Sequence, residues 1–308
     1  MRYVTTCELN NIIRKNLAKI PHDVDLVVGV PRSGMLPATI IALLLNKRLS
    51  DVDSFAEGKI YDAGCRGEVQ QWGNVKKVLV VDDSVNMGLA MGKTKAKLAN
   101  VSSNTQITYL AIIASSVGVP FVDQYLELID GVRVFEWNLF HHYLMEHACL
   151  DIDGVLNEDP TNDDDGPIYL DFLNNTRPLN LPTVEVDTLI SCRLEKYRLQ
   201  TEQWLSEHGV RYKHLILLDL PDKPARLSWG KHGEYKANYF RKSNCILFIE
   251  SSYYQAQTIA NISGKSVICL ETNELMQFQI GKNKKFLKSK FPNTFSLLKR
   301  LLKPNKHK

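Results

Sequence analysis

The sequence predicts an α/β protein built from two domains, each a doubly wound parallel sheet. Three observations carry this expectation. In the first half, the apolar runs DLVVGV (25–30), KKVLVVDD (76–83) and ITYLAIIAS (107–115) alternate with helical segments. A second such series begins near Ala148, where ACLDID, DTLISCR (187–193), HLILLDL, CILFIESS and SVICLET read as strands. At 308 residues the chain is long enough for two cores of ordinary size. Buried apolar strands that feed directly into helices are the mark of parallel sheets covered on both faces.

Taken in order, the first strand leads through PRSG into the apolar helix LPATIIALLLN, and the second leads through SVNMG into LAMGKTKAKLAN. Between them, 55–74 (FAEGKIYDAGCRGEVQQWGN) is polar and reads as one long loop. A boundary is expected around 138–147, which gives domains 1–143 and 144–276 and a tail, 277–308. In the second domain LEKYRLQTEQWLSEHGV is an amphipathic helix stopped at Gly209. The insert between ACLDID and DTLISCR is short, so any cap over that domain is small and its cleft open.

Composition narrows the class. A hydrophobic fraction of 44% and a charged fraction of 23% are those of a globular protein. No apolar run approaches the roughly 18 residues of a membrane span, and the N-terminus lacks the basic-then-apolar order of a secretory signal. The six cysteines show no C-x-x-C spacing. These readings place the protein in the cytoplasm. A net charge of +4 gives no argument for nucleic acid.

The carboxylates of ACLDIDGVL carry the sharpest chemistry. Asp151 and Asp153 follow a strand, where open α/β sheets place their sites. One carboxylate can attack a phosphoryl group; the other, two residues on, can protonate the leaving oxygen and later activate water. A hard cation such as Mg²⁺ would offset the crowded negative charge. Four ordered motifs over roughly 147–272 resemble the haloacid dehalogenase superfamily. The resemblance implies Asp151 as nucleophile and Asp153 as acid/base, with Ser191 of LISCR bonding the phosphoryl oxygens. It also implies a lysine that balances the charge, best matched by Lys236 with Lys231 and Lys242 as rivals, and Glu250 of LFIESS as a metal-binding acid. The implied metal set is Asp151, Asp153 and Glu250. The family often has a second acid in its last motif, where this chain has Ser251 and Ser252.

In the first half, VLVVDDSVNMG joins a strand to two acids and a turn entering a helix. Backbone N–H groups in such a turn can cradle a phosphate, and paired acids can bind ribose hydroxyls directly or through Mg²⁺. The segment resembles the signature of type I phosphoribosyltransferases, which bind 5-phosphoribosyl 1-diphosphate (PRPP). The resemblance implies Asp82 and Asp83 as the acidic pair and Asn86, Met87, Gly88, Leu89 and Ala90 as the 5-phosphate loop. It further implies Pro31, Arg32, Ser33 and Gly34 as the pyrophosphate loop and 55–74 as a hood. The hydroxyl residues usual in the 5-phosphate loop are replaced here by Met87, Leu89 and Ala90. Together the two resemblances imply Rossmann-like domains, phosphoribosyltransferase-like and then haloacid dehalogenase-like with a small cap.

A transferase that leaves a 5-phosphate, joined to a phosphatase that removes it, would deliver an unphosphorylated ribofuranosyl group. That pairing resembles the systems that install ribofuranose in bacterial capsules and O-antigens. The implied partners are PRPP and a glycan acceptor, including a lipid-linked one. The tail IGKNKKFLKSKFPNTFSLLKRLLKPNKHK has no acid and mixes lysines with Phe and Leu, a composition suited to an anionic membrane surface. A solvated tail with a packed helix accounts for it equally well. Nucleotide salvage or nucleotidase chemistry, and a phosphatase carrying a non-catalytic PRPP-like module, are the alternatives.

Overall fold

The computed structural model describes residues 1–61, 75–101, 105–161 and 165–277. Two compact units divide the chain, Met1–Leu139 and Phe140–Lys308. Both are α/β with parallel sheets.

The first unit runs β1 (Arg2–Val4), α1 (Thr6–Lys15), β2 (Leu26–Gly29), α2 (Met35–Leu45), β3 (Arg48–Asp51), α3 (Val52–Ala56), β4 (Lys77–Val85), α4 (Leu89–Leu98), β5 (Gln106–Ala114), β6 (Gln124–Leu128) and β7 (Arg133–Phe135). Its main sheet is parallel throughout, in the order β3-β2-β4-β5-β6. β1 and β7 pair separately, also in parallel. Successive side chains of a strand point to opposite faces, and here both faces are buried. Val27, Leu79 and Val81 join Leu9, Ile13 and Ile41 in one core, while Leu26, Val28, Val78 and Val80 join Phe55 and Leu98 in another. Hence the apolar runs are continuous rather than alternating. The sheet order reverses between β2 and β4, and in such sheets ligands bind beyond the strand ends at that switch point.

Two details differ from the sequence-based expectation. β4 does not end at its acids but continues through Ser84 and Val85, which pair with Ile113 and Ala114 of β5. The stretch expected as one loop from residue 55 begins inside α3, and its greater part, 62–74, lies outside the described residues.

The second unit runs β8 (Ala148–Leu150), α5 (Pro167–Asn175), β9 (Val186–Leu194), α6 (Arg198–Glu207), β10 (Tyr212–Leu218), α7 (Lys223–Trp229), α8 (His232–Lys242), β11 (Leu247–Glu250), α9 (Tyr253–Ser263), β12 (Ser266–Cys269) and β13 (Glu274–Met276). The sheet order is β10-β9-β8-β11-β12-β13, with only β13 antiparallel. Here the switch point falls between β8 and β11. Between β8 and β9, α5 is the only helix among the described residues; its Tyr169 and Leu173 pack on Leu194 and Tyr197. Gly209, at φ 67°, takes the left-handed conformation that closes α6.

Among the described residues no helix is long and apolar enough to cross a membrane. The cysteines described are all free thiols. The expected membrane-facing tail, from residue 278 onward, lies outside the described residues.

Candidate functional sites

In the second unit, β8 is only three residues long, and Asp151 follows it directly. The Asp151 N–H donates to Ile249 O of β11 at 3.0 Å, so its backbone is still held by the sheet. Its side chain is 4% exposed. Lys236 Nζ donates to Asp151 Oδ2 at 2.6 Å and to Glu250 Oε2 at 2.8 Å. One buried ammonium thus bridges two buried carboxylates from neighbouring strand ends. Burial opposes the Lys236 charge, but Asp151 and Glu250 more than offset it and raise its pKa above the ordinary lysine value. Burial drives the Asp151 carboxyl well above the usual carboxylate range, with Glu250 and Asp153 adding to the shift and Lys236 opposing it. Asp151 Oδ1 is buried without a hydrogen-bond partner. An orphaned carboxylate oxygen in such a place is costly unless something binds it.

Asp153 lies across a turn in which Gly154, at φ 69°, donates to Asn157 O. Arg193, 1% exposed, grips the Asp153 carboxylate from Nη2 at 2.7 Å and from Nε at 3.1 Å. Arg193 also donates to Asn157 Oδ1 at 3.1 Å, which ties β9 to the turn. Ser191 Oγ donates to Asp153 Oδ2 at 3.4 Å and accepts from Arg193 N at 3.1 Å. Asp151, Asp153, Ser191, Arg193 and Lys236 line a cleft of ≈ 570 Å³ together with Asp159, Tyr169, Arg226, His232 and Gln255.

All five residues singled out for this half therefore gather at one place. Lys236 is the lysine among the carboxylates, whereas Lys231 stands at the N-cap of α8 and Lys242 at its last position. The expected metal set, Asp151, Asp153 and Glu250, is partly engaged by basic side chains. Among the described residues, no three His, Cys, Asp or Glu side chains form a ready cage. Lys236 takes one oxygen each from Asp151 and Glu250, and Arg193 takes the Asp153 carboxylate. What remains for a cation is Asp151 Oδ1, the Asp153 carbonyl beside Ser251 Oγ (3.2 Å) and Glu250 Oε1, which accepts from Ser252 N at 3.1 Å. Mg²⁺ fits such a donor set, since it takes one or two carboxylates and keeps several waters. Arg193 was missed in the sequence, although the two-residue period of a strand puts it on the same side as Ser191.

In the first unit the loop after β2 meets the acids of β4. Val30 N donates to Val81 O at 2.9 Å, and the Pro31–Arg32 peptide is cis. A side chain on Gly34 would place its Cβ 2.6 Å from Val30 O, 2.8 Å from Val81 O and 2.9 Å from Asp82 Oδ1, so this close approach requires glycine. Asp82 and Asp83 are each 5% exposed. Trp137 Nε1 donates to Asp83 Oδ2 at 2.8 Å, and the Ser33 hydroxyl bonds the same carboxylate. Burial raises the pKa of both acids, and the proximity of Asp83 raises Asp82 further. Arg32 instead donates to Asn138 Oδ1 at 2.7 Å.

Asp82 also borders a cavity of ≈ 320 Å³ lined by Asn86, Met87, Gly88, Leu89, Ala90 and Met91. Gly88, at φ 69°, opens α4, which has no side-chain cap. The first N–H groups of the helix therefore have no helical partner and suit an anion. Met87 and Leu89 are 67% and 73% exposed, so their side chains offer apolar surface there. Neither Trp137 nor Arg133, a residue 7% exposed with Nη1 unpartnered, was signalled in the sequence.

No protein-family model and no curated protein matches the chain. Solved structures similar to it include the xanthine-guanine-hypoxanthine phosphoribosyltransferase of Helicobacter pylori, at 16% identity and a TM-score of 0.35, over 45% of this chain and 92% of that one. A purine phosphoribosyltransferase from Pyrococcus horikoshii is 18% identical with a TM-score of 0.33, over 44% of this chain and 92% of that one. An orotate phosphoribosyltransferase from Aeropyrum pernix is 20% identical with a TM-score of 0.29, over 39% of this chain and 68% of that one.

Proposed function

We propose that the chain is a bifunctional enzyme: the first unit transfers a 5-phosphoribosyl group from PRPP to a glycan acceptor, and the second removes the 5-phosphate. The observation that carries the reading is the Asp151–Lys236–Glu250 cluster, with an unpartnered Asp151 oxygen at the strand ends of a cleft. In the phosphatase step Asp151 attacks phosphorus and the bond to the ribosyl oxygen breaks, leaving an aspartyl-phosphate. Asp153, entering this step in its protonated form, gives that proton to the departing oxygen, then takes one from the water that releases phosphate and restores Asp151. Ser191 and Arg193 orient Asp153, and Lys236 offsets the charge that gathers around Asp151. Mg²⁺, when bound, supplies neutralisation of the phosphoryl oxygens.

In the transfer step the 31–34 loop, with Arg32, would hold departing pyrophosphate. Asp82 and Asp83 would hold the ribose hydroxyls, and the start of α4 the 5-phosphate. A glycan acceptor is favoured because removing the 5-phosphate would undo nucleotide salvage, whereas ribofuranose in a polysaccharide must lose it. On this reading the protein works in the cytoplasm, where its tail would bring it to lipid-linked acceptors. A second reading, a phosphatase with a non-catalytic PRPP-like module, draws on the apolar Met87 and Leu89 in the phosphate loop.

The test is to incubate the protein with PRPP, Mg²⁺ and either glycan or nucleobase acceptors, following pyrophosphate and phosphate release. Release of both in equal amounts with a glycan is expected. Pyrophosphate only with nucleobases would sink the glycan assignment, and phosphate from simple monoesters with no pyrophosphate under any condition would select the second reading.

A further inference from the structure

We propose that Asp159 completes the divalent-cation site of the second unit, supplying the acid that the chain lacks at Ser251. The inference rests on the phosphatase reading above. Three observations converge. First, Asp151 Oδ1 is a carboxylate oxygen buried without a partner, on a side chain 4% exposed, at the head of the cleft. It marks a place where something electropositive belongs. Second, the carboxylates expected around it are largely engaged. Lys236 holds the inner oxygens of Asp151 and Glu250, and Arg193 holds Asp153. A further acid would add negative charge to the Asp151 Oδ1 and Glu250 Oε1 left for a cation.

Third, Asp159 lines the same cleft as Asp151. A Cβ built on Gly154 would lie 2.7 Å from Asp159 Oδ2 and 2.7 Å from Ser251 Oγ, so the acid and the serine flank one point. Ser251 Oγ in turn donates to the Asp153 carbonyl at 3.2 Å, one of the oxygens open to a cation. Asp159 therefore comes close to position 251 across Gly154. Gly154 is the residue that makes room, since any side chain there would fill the space between the two. Such an acid would act on Mg²⁺ through a water that the ion retains, since Mg²⁺ dehydrates reluctantly. Outer carboxylates of this kind typically contribute 10–100-fold to metal affinity.

The experiment titrates the full chain with Mn²⁺ alone, reading free ion by electron paramagnetic resonance. Asp159→Asn is expected to weaken Mn²⁺ binding about 10-fold, with thermal melting unchanged because Asp159 is exposed. Adding Ser251→Asp to Asp159→Asn is expected to restore the affinity by returning an acid to the same place. Wild-type affinity in Asp159→Asn, alongside lost affinity in Glu250→Gln, would overturn the proposal and leave the phosphatase reading standing. If the unaltered protein bound no Mn²⁺ and released no phosphate from phosphomonoesters, that reading would fall and the proposal with it.

Discussion

Lys236 shows how far single residues could be read. The sequence offered three lysines for one place. Only Lys236 shares the buried stripe of α8, four residues before Phe240 and one before Ala237, while Lys231 and Lys242 sit at its ends. Helical phase was thus the signal that separated them. Arg193 was equally legible by strand phase from Ser191. Trp137 and Arg133 were not, because nothing local links β7 and its sequel to acids about fifty residues earlier. Burial makes Lys236 energetically exposed to change. Replacing it with Met would strand Asp151 and Glu250 as uncompensated buried charges, a loss of about 3–5 kcal/mol. A lowered denaturation midpoint at pH 7 is expected, and Glu250→Gln in the same chain should recover part of it, since the two residues are in direct contact. Strictly additive losses would show that the ion pair does not hold the site together.

At the scale of elements, long apolar strands were plain and short ones were not. β3 is four residues with one buried position, and β1 pairs with a strand at the far end of its unit, so neither leaves a periodic trace. The local logic of these pieces is still testable. Asp51 ends β3 and caps α3, accepting from Asp53 N at 2.7 Å, Ser54 N at 2.9 Å and Tyr61 Oη at 2.5 Å. Burial works against its charge, but hydrogen bonds from Ser54 and Tyr61 prevail and hold its pKa at about 2. Its folded pKa lies below the unfolded value of roughly 3.9, so its contribution is complete above pH 4 and is lost as pH falls through 2. Asp51→Ala is expected to cost about 1 kcal/mol at pH 7, with the difference from wild type shrinking across that window in denaturant titrations. A difference that stayed constant from pH 7 to 2 would remove the carboxylate from the explanation. Gly34→Ala probes the other loop. Its Cβ would press on two backbone carbonyls and Asp82, so the 31–34 turn must shift. Loss of PRPP binding by calorimetry with unchanged phosphatase activity is the expected result, and unaltered binding would separate this turn from the first site.

For the whole molecule, the legible part was the pairing of acids with strand ends, because open parallel sheets collect ligands where their strand order reverses. Asp82 and Asp83 lie on β4 at one such reversal, and Asp151, just after β8, and Glu250, at the end of β11, lie at another. Strand order itself, and the grip of Arg193 on Asp153, needed three dimensions. The proposed function assigns the two acid sites two steps on one substrate, and the order of those steps can be tested by stopping the second. Asp151→Asn removes the attacking carboxylate but leaves the first unit untouched. Phosphate release is expected to fall by at least about 10³-fold, while pyrophosphate release from PRPP continues. Mass spectrometry of the acceptor should then find a phosphoribosyl adduct in place of the ribosyl one. Asp82→Asn with Asp83→Asn should abolish both products from PRPP yet spare hydrolysis of a supplied phosphoribosyl glycan. If Asp151→Asn instead gave a ribosyl product at the normal rate, the phosphate would be leaving elsewhere, and Asp151 could not be the nucleophile.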